Sequence, residues 1–136
     1  MVGIIILAHG GLADEFIRTT NLVLGQPLAG VVGVAINAMD DPQFLADQIQ
    51  NAVKKVDDGD GVVIFTDMFG GTPLNVALSF LQEGRIEVIS GVNLPMILKL
   101  VDVRTGANLM DLALALRQAG RDNIFLASDI LHGNGK

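Results

Sequence analysis

Short apolar runs alternate along the chain with segments whose apolar residues recur at helical spacing. Four of these runs predict buried strands, at residues 2–8, 31–36, 62–66 and 86–90. The segments that follow each run predict helices, and the loops between them are short. This alternation favours an α/β fold, a doubly wound and mostly parallel sheet of order 2-1-3-4 with helices on both faces.

The helices are predicted from their apolar stripes and their caps. The first, over about residues 12–24, is expected to point Leu12, Phe16, Thr19 and Val23 inward. The second begins with Asp41 as its N-cap and Pro42 in its first turn, and its inner stripe is Leu45, Ile49, Ala52, Val53 and Val56. Further helices are predicted over residues 72–84, 93–102 and 108–119, followed by an edge strand over 123–127.

Composition narrows the class of protein. The 136 residues, half of them hydrophobic, are expected to form one domain over residues 1–127 with a tail over 128–136. The absence of cysteine excludes disulfides, thiolate metal sites and cysteine nucleophiles. A net charge of −6 with scattered Lys and Arg argues against a nucleic-acid partner. Without a signal-peptide pattern or a run of membrane length, we expect a cytoplasmic protein that does not insert into the bilayer.

Two predicted strands end in side chains that can do chemistry. His9 follows the first strand and Asp67 follows the third. The order 2-1-3-4 puts these strands side by side, and ligands of open α/β sheets bind at the carboxyl ends of strands. A carboxylate that faces one imidazole nitrogen fixes the tautomer and leaves the other nitrogen free as a nucleophile. Each residue could instead have a purely structural role: His9 could hydrogen-bond to a nearby backbone group, and Asp67 could cap a loop.

The segment that follows Asp67 predicts an anion site. Gly70 and Gly71 precede a helix that Thr72 would cap, so backbone N–H groups and the Thr72 hydroxyl could bind an anion there. Met68 and Phe69 lie in the same loop; they either tuck into the core or, if exposed, mark a docking patch for another protein.

Two other segments contain candidate residues. Residues 91–93 follow the fourth strand and could line the crevice between the ends of the first and third strands. His132, in the tail, is expected to be inert. We expect no metal and no cofactor, since no nucleotide phosphate loop or metal-ligand spacing is present.

Three separated segments, LAHGG, TDMFGGTP and ISGVNLPM, together resemble the EIIA domain of the mannose family of bacterial sugar phosphotransferase systems. The resemblance covers about residues 2–127. It implies a parallel sheet of order 2-1-3-4 with an added antiparallel edge strand, and a homodimer formed through that region. Phe69 stands where some members carry Trp, and Thr72 stands where Ser is common.

The resemblance also implies a mechanism. His9 would be the phosphorylated histidine of a phosphotransferase-system component, Asp67 its hydrogen-bonded acid and Thr72 the hydroxyl near the phosphoryl group. The phosphocarrier HPr would be the donor and a separate EIIB protein the acceptor, because no EIIB domain follows in this sequence. Phe69 and its loop would dock these partners.

Two alternatives from other classes stay open at this stage. One is a small chelatase-like enzyme that uses His9, which would need further His or Glu ligands nearby. The other is a non-catalytic signalling or binding module that uses the same surface, and phosphorylation of His9 would separate a carrier from such a binder.

Overall fold

The computed structural model describes residues 1–133 of the chain. Strands and helices alternate as far as residue 90, and only helices follow over the remaining described residues. In chain order the elements are β1 (Gly3–His9), α1 (Leu12–Leu24), β2 (Val31–Ile36), α2 (Pro42–Val56), β3 (Val62–Thr66), α3 (Gly71–Leu78), β4 (Ile86–Ser90), α4 (Leu94–Leu98), α5 (Leu100–Val103), α6 (Leu109–Asp122) and α7 (Ala127–Leu131).

Within residues 1–133 the sheet has four parallel strands in the order β2-β1-β3-β4. Ile4 of β1 lies opposite Val31 of β2 on one side and Val63 of β3 on the other. Both the α/β class and the order 2-1-3-4 predicted from the sequence are therefore confirmed. Because β1 and β3 are neighbours, their carboxyl ends lie side by side at the same end of the sheet.

Each face of the sheet carries its own buried cluster, because successive side chains of a strand point to opposite faces. Ile4, Ile6 and Ala8 pack on one face with α4 and α6, while Ile5 and Leu7 pack on the other with α2 and α3. No helix within residues 1–133 is long and apolar enough to cross a membrane.

The predicted inward-facing stripe is confirmed for α2 and only partly for α1. In α2 the buried residues Leu45, Ile49, Ala52 and Val56 belong to the predicted stripe, and Asp41 caps the helix by accepting from the Phe44 N–H. In α1 the buried residues are Ala13 and Thr20, and Phe16 and Thr19 of the predicted stripe are partly buried. Leu12 and Val23 are exposed. The sheet thus contacts the face of α1 that begins one residue later than predicted.

Arg104 connects the amino-terminal ends of β1 and β2, at the opposite end of the sheet from His9. The side chain is 4% exposed, and its guanidinium donates to the carbonyl oxygens of Val2 (2.8 Å), Gly30 (3.0 Å) and Ala29. Gly30 has a φ of 67°, and a Cβ there would lie 2.7 Å from Arg104 Nη2. Glycine is needed at this position both for its conformation and for the approach of the guanidinium.

The structure differs from the sequence prediction after β3. Helix α3 starts at Gly71 and ends at Leu78, and residues 93–102 form the two short helices α4 and α5. Residues 123–127 form no edge strand. The Ile124 N–H donates to the Arg121 carbonyl and the Asn123 side chain to the Ala119 carbonyl, so the chain is still turning out of α6. Part of the predicted tail is the helix α7, and residues 134–136 of that tail lie outside the described residues.

Candidate functional site

The two candidate catalytic side chains lie at the carboxyl ends of neighbouring strands. His9 is the last residue of β1, and Asp67 comes directly after β3. Strand alternation puts His9 on the same face as Ile5 and Leu7, the face that α2 and α3 cover. His9 lines a cleft together with residues from the amino-terminal ends of both helices.

The structure brings His9 and Asp67 into direct contact. Asp67 Oδ2 lies 2.9 Å from His9 Nδ1, and the same oxygen accepts the His9 backbone N–H at 2.9 Å. The imidazole is 52% exposed, while the carboxylate is 13% exposed. An ionised carboxylate can only accept, so Nδ1 carries the proton and Nε2 keeps its free lone pair.

The pKa of Asp67 reflects this contact. Burial acts to raise the pKa, but the His9 N–H, the imidazole hydrogen bond and the attraction to the imidazole outweigh it. The net result is a pKa below the ordinary value, so Asp67 is ionised near neutral pH. The carboxylate can therefore stabilise a positive charge that develops on the ring.

The glycines beside Asp67 form the entry into α3 with a different cap from the one predicted. Gly70 is the N-cap of α3, and Thr72 is the second residue of the helix. Gly70 and Gly71 have φ values of 115° and 80°, which side chains disfavour. The prediction of Thr72 as N-cap is wrong, and its hydroxyl is consequently not used for capping.

His9 opens into a cleft of about 390 Å³. One wall contains Thr72 and Pro73 of α3, and the other comes from the loop between β2 and α2. That loop contributes Asn37, Ala38, Asp40 and Asp41. Of these, the sequence predicted only Asp41, and only as a helix cap rather than as part of a site. The sequence signal that could have identified this loop is its position directly after β2, whose carboxyl end lies beside that of β1.

The other predicted residues lie in three places: the loop before α3, the segment after β4 and the end of α7. Met68 and Phe69 are exposed, with Phe69 at 78%, so they do not tuck into the core. Residues 91–93 are used elsewhere: the Gly91 and Val92 N–H groups donate to the Thr66 carbonyl at 3.0 Å, and Asn93 caps α4. His132 lies at the C-cap of α7. Within residues 1–133, no three His, Cys, Asp or Glu side chains are grouped to hold a metal ion.

Comparison with known proteins identifies the family of the chain. Residues 3–116 match the EIIA-man family, described as "PTS system fructose IIA component" (PTS, phosphotransferase system). The "PTS system fructose-specific EIIA component" of Bacillus subtilis is 28% identical over 132 residues, covering 96% of this chain and 90% of that protein.

A second relative is longer than this chain. The "PTS system mannose-specific EIIAB component" of Escherichia coli is 27% identical over 125 residues, which cover 90% of this chain and 38% of that protein. The match to it therefore concerns well under half of its length.

A solved structure is also similar over almost the whole chain. The phosphotransferase-system component EIIA from Streptococcus agalactiae superposes with a TM-score of 0.83 at 30% identity, covering 94% of this chain and 98% of that one. Fold, family match and full-length relatives agree, and the chain belongs to the EIIA-man family of phosphotransferase-system IIA components.

Proposed function

We propose that this phosphotransferase-system component carries a phosphoryl group on Nε2 of His9, which it accepts from phospho-HPr and passes to a separate EIIB protein. The observation that carries the proposal is the 2.9 Å contact between His9 Nδ1 and the ionised Asp67, beside a half-exposed ring. The carboxylate holds one ring nitrogen, which leaves the other as the nucleophile of a ring that lines the cleft.

The transfer step follows from this tautomer. The Nε2 lone pair of His9 forms a bond to phosphorus, and the bond between phosphorus and the donor histidine breaks, its electron pair returning to the donor nitrogen. The His9 ring keeps its Nδ1 proton and becomes positively charged. Asp67 stabilises that charge and orients the ring, so transfer depends on positioning and electrostatics.

Groups at the start of α3 are suited to bind the phosphoryl oxygens. Backbone N–H groups of Gly70, Gly71 and Thr72 lie at the amino-terminal end of a helix, where the unpaired donors and the helix dipole favour an anion. The Thr72 hydroxyl can donate to the same anion. We assign these residues to phosphoryl binding because Thr72 lines the cleft with His9.

Met68 and Phe69 would dock the partner proteins. Both are large, apolar and exposed in the loop that joins Asp67 to α3. A phosphoryl group that arrives on a protein needs an open site with an apolar rim rather than a deep pocket. We propose that the chain acts with these partners in the cytoplasm.

A homodimer is the proposed assembly. Within residues 1–133 the outer edge of β4 pairs with no strand, and large apolar side chains are exposed in the segment that follows α6. These side chains are Ile124, Phe125, Leu126, Ile130 and Leu131. Covering them against a second copy would remove apolar surface from water. Sedimentation equilibrium should give about twice the 14.3 kDa chain mass, and a monomer at micromolar concentration would contradict the proposal.

Phosphorylation is tested directly by incubating the protein with phosphoenolpyruvate, Enzyme I and HPr and measuring its intact mass without acid. We expect one acid-labile phosphoryl group, which maps to His9 and is absent from the His9→Ala variant. A second known acceptor of phospho-HPr verifies the donor. Phosphate that persists in His9→Ala would contradict the assignment of the site, and a protein that gains none would contradict the carrier function.

A further inference from the structure

The cleft beside His9 contains no side-chain cation among the described residues that line it. The charged side chains in its lining are the carboxylates of Asp40 and Asp41. A phosphoryl group on Nε2 would add about two negative charges there. This chain must therefore bind the phosphoryl oxygens with neutral donors, and each neutral donor in the lining becomes a candidate contact.

Asn37 supplies such a donor on the wall opposite α3. It directly follows β2, and the β1–β2 register pairs His9 with Ile36. The Gly10 N–H donates to the Ile36 carbonyl at 2.9 Å, which holds the two strand ends together. Asn37 is thereby kept beside His9 and lines the same cleft as Thr72.

The backbone of Asn37 is used in a tight turn, but its side chain is not. The Asn37 N–H donates to Asp40 Oδ2 at 3.1 Å, and the Asp40 N–H donates to the Asn37 carbonyl at 3.1 Å. Within residues 1–133 the side-chain amide of Asn37 makes no hydrogen bond. The turn thus fixes the position of the residue and leaves two side-chain donors available.

We propose that Asn37 is a phosphoryl-binding residue that donates its side-chain amide to an oxygen of the group carried on His9. The inference rests on the proposed carrier function and adds a second wall to the site, so that α3 and the β2–α2 turn bind the phosphoryl group from two sides. Hydrogen bonds to a charged acceptor are stronger than neutral ones, and they bring no new positive charge that would hold the group too tightly.

The experiment compares three variants with the wild-type protein. Asn37→Ala removes the amide but keeps the backbone bonds of the turn, and Asn37→Asp replaces the donor with an acceptor of the same shape. The matched control is Asn51→Ala, an exposed position on α2 outside the cleft lining. Transfer from phospho-HPr is followed by rapid quench at several HPr concentrations, and phosphorus NMR records the phosphohistidine resonance.

We expect Asn37→Ala to slow the maximal transfer rate about 10- to 100-fold, because one hydrogen bond to a charged group is lost. Asn37→Asp should be slower still, since it adds repulsion. The half-saturating HPr concentration should stay within roughly twofold, because docking is unchanged. The phosphorus resonance should shift in both Asn37 variants, whereas their thermal midpoints should match that of wild type. The Asn51→Ala control should match wild type in its transfer rate and its phosphorus resonance.

The inference is overturned if Asn37→Ala transfers at the wild-type rate with an unshifted resonance. It is also overturned if slower transfer is accompanied by a lower thermal midpoint and no shift, since the role would then be structural. A wild-type protein that accepts no phosphate would instead reject the carrier function, and with it this inference.

Discussion

Replacing Asp67 by Asn tests the electrostatic part of the mechanism separately from the orientation of the ring. Asp67 Oδ2 accepts both the His9 backbone N–H and the Nδ1 proton, each at 2.9 Å. The amide oxygen of Asn can take the same place. Turning the amide the other way would put its NH₂ group against the His9 N–H, so the oxygen stays toward His9 and the tautomer is kept. Only the negative charge is lost.

The size of the effect follows from the strength of that one bond. Hydrogen bonds to charged groups contribute about 1.5–3 kcal/mol and neutral ones about 0.5–1.5 kcal/mol. The Nδ1 bond strengthens as the ring becomes positive during attack, so losing the charge should raise the transfer barrier by about 1–2 kcal/mol. Transfer should therefore be roughly 5- to 30-fold slower in Asp67→Asn.

The assay is a single-turnover transfer from radiolabelled phospho-HPr, sampled by rapid quench and counted as acid-labile phosphate. Asp67→Ala is measured beside it, because Ala loses the orientation of the ring as well as the charge and should be slower than Asn. Circular dichroism verifies that both variants are folded. An Asp67→Asn rate equal to wild type, or an Ala rate equal to that of Asn, would refute the reasoning.

Three further predictions concern other parts of the molecule. Thr72→Val should slow transfer about 10-fold in the same assay, because one donor to the phosphoryl group is lost, and Thr72→Ser should keep the wild-type rate. Arg104→Met should lower the free energy of unfolding by about 2–5 kcal/mol in urea titration, because the Val2 and Ala29 carbonyls lose their guanidinium donor, and an unchanged midpoint would contradict this. The folded pKa of Asp67 is lowered, so its contribution to stability is complete above the unfolded pKa of about 3.9 and disappears as the pH falls through the folded value. The stability difference between wild type and Asp67→Asn should thus shrink in urea titrations below about pH 4, and a constant difference would exclude this linkage.

Much of the architecture was predictable because it depends on local patterns. Apolar runs bounded by turns identified all four strands, and β1 matches its predicted run to within a residue at each end. Once the strand order was inferred, His9 and Asp67 had to lie at adjacent strand ends. Their contact thus follows from the sequence, through a rule of topology rather than through either residue alone.

The errors arose where a segment depends on its neighbours. The buried face of α1 differs from its predicted stripe, because the sheet selects which of two overlapping apolar faces is covered. Residues 123–127 are rich in apolar side chains, yet a strand also needs a partner for its backbone. In the single chain Asn123 and Ile124 hydrogen-bond back to α6 instead. Local composition cannot supply that partner.

The sequence by itself determined the four strands, their order and the pairing of an imidazole with a carboxylate at one edge of the sheet. Only the tertiary structure decided what surrounds that pair. The cleft wall made by Asn37 and Asp40 exists because α2 packs on the same face of the sheet as His9. Periodicity is a property of neighbouring residues, whereas a wall is made by elements that meet only after the chain has folded.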